Sequence, residues 1–556
     1  MGLMLVSELV GRTLHALGVE VVFGLMGSGN LAMTNALVAS GARFYSSRHE
    51  SGAVSMADGY ARVSGRLPAV SVHQGPGLTN TVTALTEAAK SRTPLIVLAA
   101  DTPAAQIRSN FRIDQDALVE SVGAVPERVH GAATAVADVT RAVRRAQVER
   151  CTVVLMLALD VQAQEAELSE PPLLPALAPV RPGSLDDAVA ALARAELPAI
   201  IAGRGAALAG AGPALRRLGD AIGAVLATSA VANGLFAGDP YDIGISGGFS
   251  TPLAQELLAA SDVVIAFGAA LNMWTTRHGS LIGPETTVIQ VDRDEAALGA
   301  HRRVDIAVHG DARETAEALL AALADDGAVA AAARDAVATV APGGVRGRRT
   351  PALAEEIAAR RWRDEPYEPS HDWVDPRTLS IALDEILPAE RIVSVDSGAF
   401  MGWPAMYLRV PDERGFVFPQ AFQCVGLGLA SAIGAAIARP DRLSVAAVGD
   451  GGMLMALPEL ETLARLRPRL LVVVYNDAAY GAEVHHFRPM GWPVELAQFP
   501  PTDFAALARA AGCEGATNDL DAVREWLKDP ERPMVLDAKV DPDICAEWLE
   551  EAFRGH

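Results

Sequence analysis

The stretch LSVAAVGDGGMLMALPELETLARLRPRLLVVVYND, Leu443 to Asp477, decides how the chain folds. Its first apolar run reads as a strand that ends in Gly449-Asp450-Gly451-Gly452, and a helix is expected to begin just after. A second apolar run, LLVVVYND, reads as the next strand and ends in Asn476-Asp477. Strand, turn, helix and strand in this order make a parallel βαβ unit. Neighbouring strand ends in such a sheet lie side by side at the carboxyl edge, where ligands bind. Glycines let the backbone approach a ligand closely, and amides at a helix start attract an anion. A lone Gly-rich turn is more often an ordinary strand-to-helix connection. Here Asp450 and Asp477 stand 27 positions apart at adjacent strand ends, a placement that suits an oxygen-liganded Mg2+ bridging a diphosphate.

Outward from this unit, β-rich runs alternate with amphipathic or Ala-rich helical stretches along the whole chain. RIVSVDSG and PMVLDAKV are further strands of the last block. VEVVFGL, PAVSVHQG and PLIVLAAD are strands of a first block, with SGAVSMADGYARVSG and LTNTVTALTEAAK as helices between them. PAIIAGRGA, DVVIAFGAAL and TTVIQVDRD are strands of a middle block. The Pro-rich segment 168–184 and the mixed Gly, Arg, Pro and acidic segment 341–376 read as linkers. The expected fold class is α/β, with three doubly wound parallel-sheet domains over residues 1–167, 185–340 and 376–556. The first and third are alike in scale and pattern.

Of the 556 residues, 50% are apolar and 21% charged, the profile of a folded globular chain. The 47 basic and 68 acidic residues leave a formal net charge of -21, which argues against nucleic acid or an anionic membrane as partner. The cysteines Cys151, Cys424, Cys513 and Cys545 form no CxxC pair, which argues against a disulfide framework or zinc site and fits a reducing cytosol. No basic stretch precedes an apolar core at the N-terminus, and no uncharged apolar run reaches about 18 residues. Neither a secretory leader nor a membrane span is expected, and the expected location is cytoplasmic.

On these residues the sequence resembles the thiamin diphosphate-dependent enzymes, in their acetolactate synthase-like and 2-oxo-acid decarboxylase branch, over nearly all of its length. In that family GDG is followed at this spacing by an Asn-Asn pair. The first aspartate, the last residue of the pair and a carbonyl two residues later hold the metal. The resemblance implies Asp450, Asp477 and the carbonyl of Ala479 as the Mg2+ ligands. This chain departs from the pattern with Asn476-Asp477, and the extra anion is expected to tighten Mg2+ while repelling the diphosphate.

YSSRHESGAVSMADGYAR resembles the Arg-His-Glu segment of acetolactate synthases and implies Glu50 as the catalytic acid on the cofactor's aminopyrimidine ring. That role needs a carboxyl kept out of bulk water. Taken singly, Glu50 reads as a charge at a helix N-terminus. AFQCVGLGLASAIGAAIARPDR implies the carbonyl of Gln423 on the 4′-amino group and Val425 under the two rings, although Val is small for that position. The plain reading is a helix packed closely through Gly426, Gly428 and Gly434. VDSGAF places Ser397, Gly398 and Ala399 at a strand end beside the diphosphate, or in ordinary turn chemistry. Gly449, Asp450, Gly451, Gly452 and Asp477 complete the expected cofactor contacts.

In such enzymes the cofactor attacks a 2-oxo acid, CO2 leaves, and the remaining enamine is protonated, joined to an acceptor or oxidised. Glu483 lies six residues after Asp477, where related decarboxylases carry a catalytic glutamate and acetolactate synthases usually an apolar residue. A solvated glutamate at a helix start is the plain alternative. In PAVSVHQGPGLTN, His73 and Gln74 end a strand before a Gly-Pro-Gly turn. Benzoylformate decarboxylases carry a histidine matching His73, and a histidine there can pass a proton near neutral pH. A backbone-bonded structural histidine is the alternative. Ser28 matches a substrate-contacting serine of the same relatives. Met401, Trp403 and the loop of the 480s are expected to line the substrate pocket.

The middle block resembles a domain that holds FAD or an ADP-containing group in some relatives and nothing in others, with Asp292 and Arg277 as candidate contacts. The resemblance also implies active sites between the first domain of one subunit and the third of another, hence a homodimer or homotetramer. The expected function is thiamin diphosphate- and Mg2+-dependent decarboxylation of a 2-oxo acid, with protonation or carboligation to an aldehyde or 2-oxo-acid acceptor. A 2-hydroxyacyl-CoA lyase or FAD-dependent oxidase on the same scaffold is the alternative. A non-catalytic relative is a third reading, and it would have no use for Glu50 or Asp450.

Overall fold

The computed structural model describes residues 3–176, 178–324, 347–366 and 373–552. Two compact units divide the chain. One is made of residues 1–177, 391–401 and 417–542, and the other of residues 178–390, 402–416 and 543–556.

The first unit holds two six-stranded sheets. One runs Arg43–Ser46, Val21–Gly24, Ala69–Val72, Leu95–Asp101, Thr152–Ala158, Val125–Arg128, all neighbours parallel. The other runs Phe416–Val417, Arg391–Val395, Leu443–Gly449, Leu470–Asn476, Met534–Lys539, Glu514–Thr517. Numbered by order along each domain, both sheets read 2-1-3-4-6-5. The likeness of the first and third blocks thus extends to their topology. The central strands are apolar on both faces because helices cover both: Thr152–Ala158 and Leu470–Asn476 are buried throughout.

The helices Glu50–Ser64 and Gly428–Ala438 pack against each other between the two sheets. They cross at backbone contact. A Cβ at Gly59 would overlap the carbonyl of Ser431, and one at Gly434 would overlap the carbonyl of Met56. A single apolar core joins them, with Val54, Met56 and Leu85 in the same cluster as Leu429, Ile433 and Val448.

The sheet of the second unit runs Asp242–Ile245, Val225–Thr228, Pro198–Ala202, Val263–Phe267, Thr287–Asp292, Ile306–His309. Its order, 3-2-1-4-5-6, is that of dinucleotide-binding folds and differs from the other two. Apolar clusters cover both of its faces.

Two expectations need correction. The helix after the Gly-rich turn starts at Asp450 itself, as Asp450–Met455, so the turn is the first helical turn. Part of the expected linker is a helix, Pro351–Ala359, because Thr350 caps it through Leu353 N–H and Pro stands at its start. Residues 325–346 and 367–372 of the expected middle domain and linker lie outside the described residues.

Candidate active site

In the C-terminal sheet the strand order reverses between Arg391–Val395 and Leu443–Gly449. Connections leave such a pair of strands in opposite directions and open a crevice at their carboxyl ends. Asp396-Ser397-Gly398 follows the first strand, and Asp450 follows the second. Leu443–Gly449 pairs in parallel with Leu470–Asn476, with Gly449 opposite Tyr475, so Asp477 emerges beside Asp450.

Asp450 is buried. Its Oδ1 accepts the N–H of Gly451 at 2.7 Å, while its Oδ2 has no hydrogen-bond partner. Burial pushes its carboxyl up to about 7, and the nearby Asp477 charge adds to the rise. Asp477 is pushed up to about 6, again by burial, although the N–H of Ala479 donates to its Oδ1 at 3.2 Å. Asn476 faces the other way. Its amide donates to Asp537 Oδ1 at 2.8 Å and to the carbonyl of Thr502, which braces the strand end. Ala478 takes a left-handed φ of 54°, uncommon for a residue with a Cβ, and turns the chain so that Ala479 sits buried in the same turn. Two facing carboxylates with one oxygen unsatisfied form a donor set that fits a hard divalent cation.

Asp396 is fully buried and builds the opposite wall. It accepts the N–H groups of Ser397, Gly426 and Leu427 at 2.9 to 3.2 Å, and burial pushes it up to about 6. Its carboxylate also stands where a Cβ on Gly452 would be, so the Gly449–Gly452 turn and the 423–427 loop lock on one side chain. In that loop Gln423 is left-handed, at φ 56°, and its carbonyl accepts from Ser397 Oγ at 3.5 Å. Val425 is half-buried and lies close beside Gly452.

The N-terminal sheet has its own reversal, between Val21–Gly24 and Ala69–Val72. This crevice brings Ser28 and His73 together. His73 Nδ1 lies 2.8 Å from the carbonyl of Gln74, so Nδ1 carries the proton and Nε2 faces Ser28 Oγ at 3.4 Å. Gln74 is buried with its Oε1 unpartnered. Glu50, buried at the first position of its helix, accepts from Asn80 Nδ2 at 3.0 Å through Oε2. The two amides before it, of Arg48 and His49, both donate to Glu459, which follows Asp450 by nine residues.

Glu483 is exposed on the short helix Gly481–Phe487 after the Asp477 turn. Trp403 is buried and Met401 half-buried. In the second unit Arg277 is ion-paired with Glu551 at 2.6 Å, and Asp292 accepts the N–H of Asp294. Sequence reasoning passed over Asp396, Glu459 and Asn80. Asp396 carried a readable signal, a carboxylate at the end of an apolar strand in the same position as Asp450.

Comparisons with known proteins cover all three sheet domains. Residues 4–125 match the N-terminal TPP binding domain of thiamine pyrophosphate enzymes, residues 185–319 their central domain, and residues 396–538 their C-terminal TPP binding domain. The chain is 32% identical to a probable 2-ketoarginine decarboxylase of Pseudomonas aeruginosa, over 93% of this chain and 90% of that protein. It is 30% identical to a sulfoacetaldehyde acetyltransferase of Alcaligenes xylosoxydans xylosoxydans, over 99% and 94%. It is 27% identical to a probable acetolactate synthase large subunit of Methanocaldococcus jannaschii, over 96% and 92%.

Proposed function

Because the chain belongs to the thiamine pyrophosphate enzyme family, we propose that it decarboxylates a 2-oxo acid with thiamin diphosphate and Mg2+, and hands the remaining acyl unit to a proton or a carbonyl acceptor. The named activities of its relatives, a decarboxylase, an acetyltransferase and a synthase, support that range. The observation that carries the reading is the Asp450–Asp477 pair with Asp450 Oδ2 left without a partner.

Asp450, Asp477 and the Ala479 carbonyl would hold the cation. Ser397, Gly398 and the backbone of Gly449 to Gly452 would hold the diphosphate, and Gln423 and Val425 the ring side. When bound, thiamin diphosphate supplies a carbon nucleophile and an electron sink that lets CO2 leave a 2-oxo acid. Glu50, with Oε2 held by Asn80, presents Oε1 for proton exchange with the cofactor ring in a site shielded from water. His73, its Nδ1–H committed to Gln74, takes or returns a proton at a substrate oxygen through Nε2. Gln74 Oε1 is left to accept a hydrogen bond from substrate. Glu483 is the acid proposed to protonate the product carbon.

In this reading residues 1–167 bind the pyrimidine, 376–556 the diphosphate, and 185–340 form the central domain. The working unit is a homodimer or homotetramer in which Glu50 of one copy serves the diphosphate half of another. Among the described residues no helix is long and apolar enough to cross a membrane, and a cytoplasmic location is part of the proposal.

The test is a panel of 2-oxo acids, with and without aldehydes, scored for CO2 and products. Release is expected to require both cofactor and Mg2+, and Glu50→Gln to slow it by about 10²- to 10⁴-fold. Calorimetry that found no uptake of either by the wild-type protein would overturn the reading.

A further inference from the structure

We propose that Arg62 and Glu87, on helices of the N-terminal domain, form a clamp that sets the cofactor-facing loop 418–427 of the C-terminal domain. This makes them positioning residues for the cofactor. The inference rests on the roles given above to Gln423 and Val425.

Arg62 and Glu87 are both buried, with side chains 8% and 2% exposed, and they pair at 3.0 Å. Arg62 also donates to Asp58 Oδ2 at 2.7 Å and to Ser91 Oγ at 2.7 Å. Its remaining nitrogen reaches across to the carbonyl of Phe418 at 3.2 Å. Glu87 divides its oxygens: Oε1 takes Arg62 and Ser91, and Oε2 takes the backbone N–H of Phe422 at 2.7 Å. Thr93 Oγ1 donates to Asp58 Oδ1 at 2.6 Å and completes the set.

Two carboxylates and one guanidinium leave a buried excess of negative charge. The network meets it with neutral donors, one of which belongs to the loop. A buried carboxylate oxygen holds such an N–H more firmly than a neutral acceptor does. Lys90 Nζ lies 5.8 Å from the centre of the Phe422 ring and adds a contact from the same helix as Glu87.

Phe418 and Phe422 fix one end of the loop, and Asp396 fixes the other through Gly426 and Leu427. Only Gln423, Cys424 and Val425 lie between the anchors. A left-handed Gln423 persists only where its surroundings over-determine it. In Glu87→Gln the one carbonyl oxygen takes the place of Oε1 or of Oε2 but not both, and the amide nitrogen at the other place cannot accept from Arg62 or from Phe422 N–H.

The test compares Glu87→Gln with Thr93→Val, which weakens the same network at its far end without touching the loop. Apoprotein melting temperature, cofactor Kd by calorimetry in excess Mg2+, and the near-ultraviolet circular dichroism of the bound aminopyrimidine are measured for each. Both variants are expected to melt lower. Only Glu87→Gln is expected to bind cofactor about 10- to 100-fold more weakly and to change the dichroism. Wild-type binding by Glu87→Gln, or equal weakening by Thr93→Val, overturns the clamp.

Val425→Ala separates the clamp from the reading beneath it. If it leaves Kd and dichroism unchanged in a protein that binds cofactor, the loop does not face the cofactor and both fall. If it changes them while Glu87→Gln does not, only the clamp falls. Should Glu87→Gln fail to fold, hydrogen exchange on wild-type apoprotein decides: the Phe422 amide is expected to be protected, and exchange at the rate of an unbonded loop overturns the proposal.

Discussion

Burial raises the carboxyls of both Asp450 and Asp477, and at Asp450 the neighbouring Asp477 charge adds to the rise. A carboxyl raised in the folded state binds its proton more tightly there than in the unfolded chain. Its stabilisation is fully present below the unfolded value of 3.8 and is lost as pH rises through about 7. In apoprotein, the stability of Asp450→Asn relative to wild type should therefore grow between those limits, by up to about 1.4 kcal/mol per pH unit. Melting curves across that range test this, and parallel pH profiles for the two proteins would contradict the buried-charge account. Saturating Mg2+ with cofactor should reverse the order, because Asp450→Asn then offers the cation a neutral oxygen in place of a carboxylate. Asp477→Asn should weaken Mg2+ retention while easing the approach of the diphosphate. Unchanged metal and cofactor affinity in that variant would remove Asp477 from the ligand set. Asp450 and Asp477 were readable because strand ends and spacing are sequence properties. Asn476 shows the limit, since two adjacent polar residues look alike until the fold turns one toward Asp537 and the other toward Asp450.

The helices Glu50–Ser64 and Gly428–Ala438 meet where neither can carry a side chain at the crossing. Gly434→Val should force its Cβ into the carbonyl of Met56 and cost about 1–3 kcal/mol or more. A lowered melting temperature, together with weaker cofactor binding, is expected because the Glu50 helix and the loop before Gly428 move together. A melting temperature equal to wild type would mean the helices can separate freely. Core strands such as Leu443–Gly449 and Leu470–Asn476 were legible as continuous apolar runs, which burial on both faces demands, whereas the interior strand Val225–Thr228 was passed over. The edge strands Arg43–Ser46, Val125–Arg128, Glu514–Thr517 and Ile306–His309 were not legible. They are short and only partly buried, so their side chains carry no strong pattern.

Across the first unit, the 2-1-3-4-6-5 order occurs twice and sets one crevice in each sheet. Ser28 and His73 stand at the first crevice, and Asp396 and Asp450 at the second. The proposed pairing of these halves across copies can be tested by complementation. Glu50→Gln and Asp450→Asn should each be inactive alone. Co-expressed, they should recover roughly a quarter of wild-type activity if dimers form at random and each site draws on two chains. No recovery would place each site within a single chain.

The order of apolar runs, the Gly-rich turn and the 27-residue interval between Asp450 and Asp477 are local properties of the chain, and they were enough to determine three parallel-sheet domains with two aspartates at neighbouring strand ends. Which buried side chain accepts from which donor depends on contacts between residues from thirty to more than four hundred positions apart, and only the folded chain decides it. Glu459 on the amides before Glu50, Asp396 on the 426–427 backbone and Glu87 on Phe422 N–H are such contacts. The physical reason is that burial removes water as a partner, so each buried carboxylate must take its donors from whatever backbone the topology brings beside it.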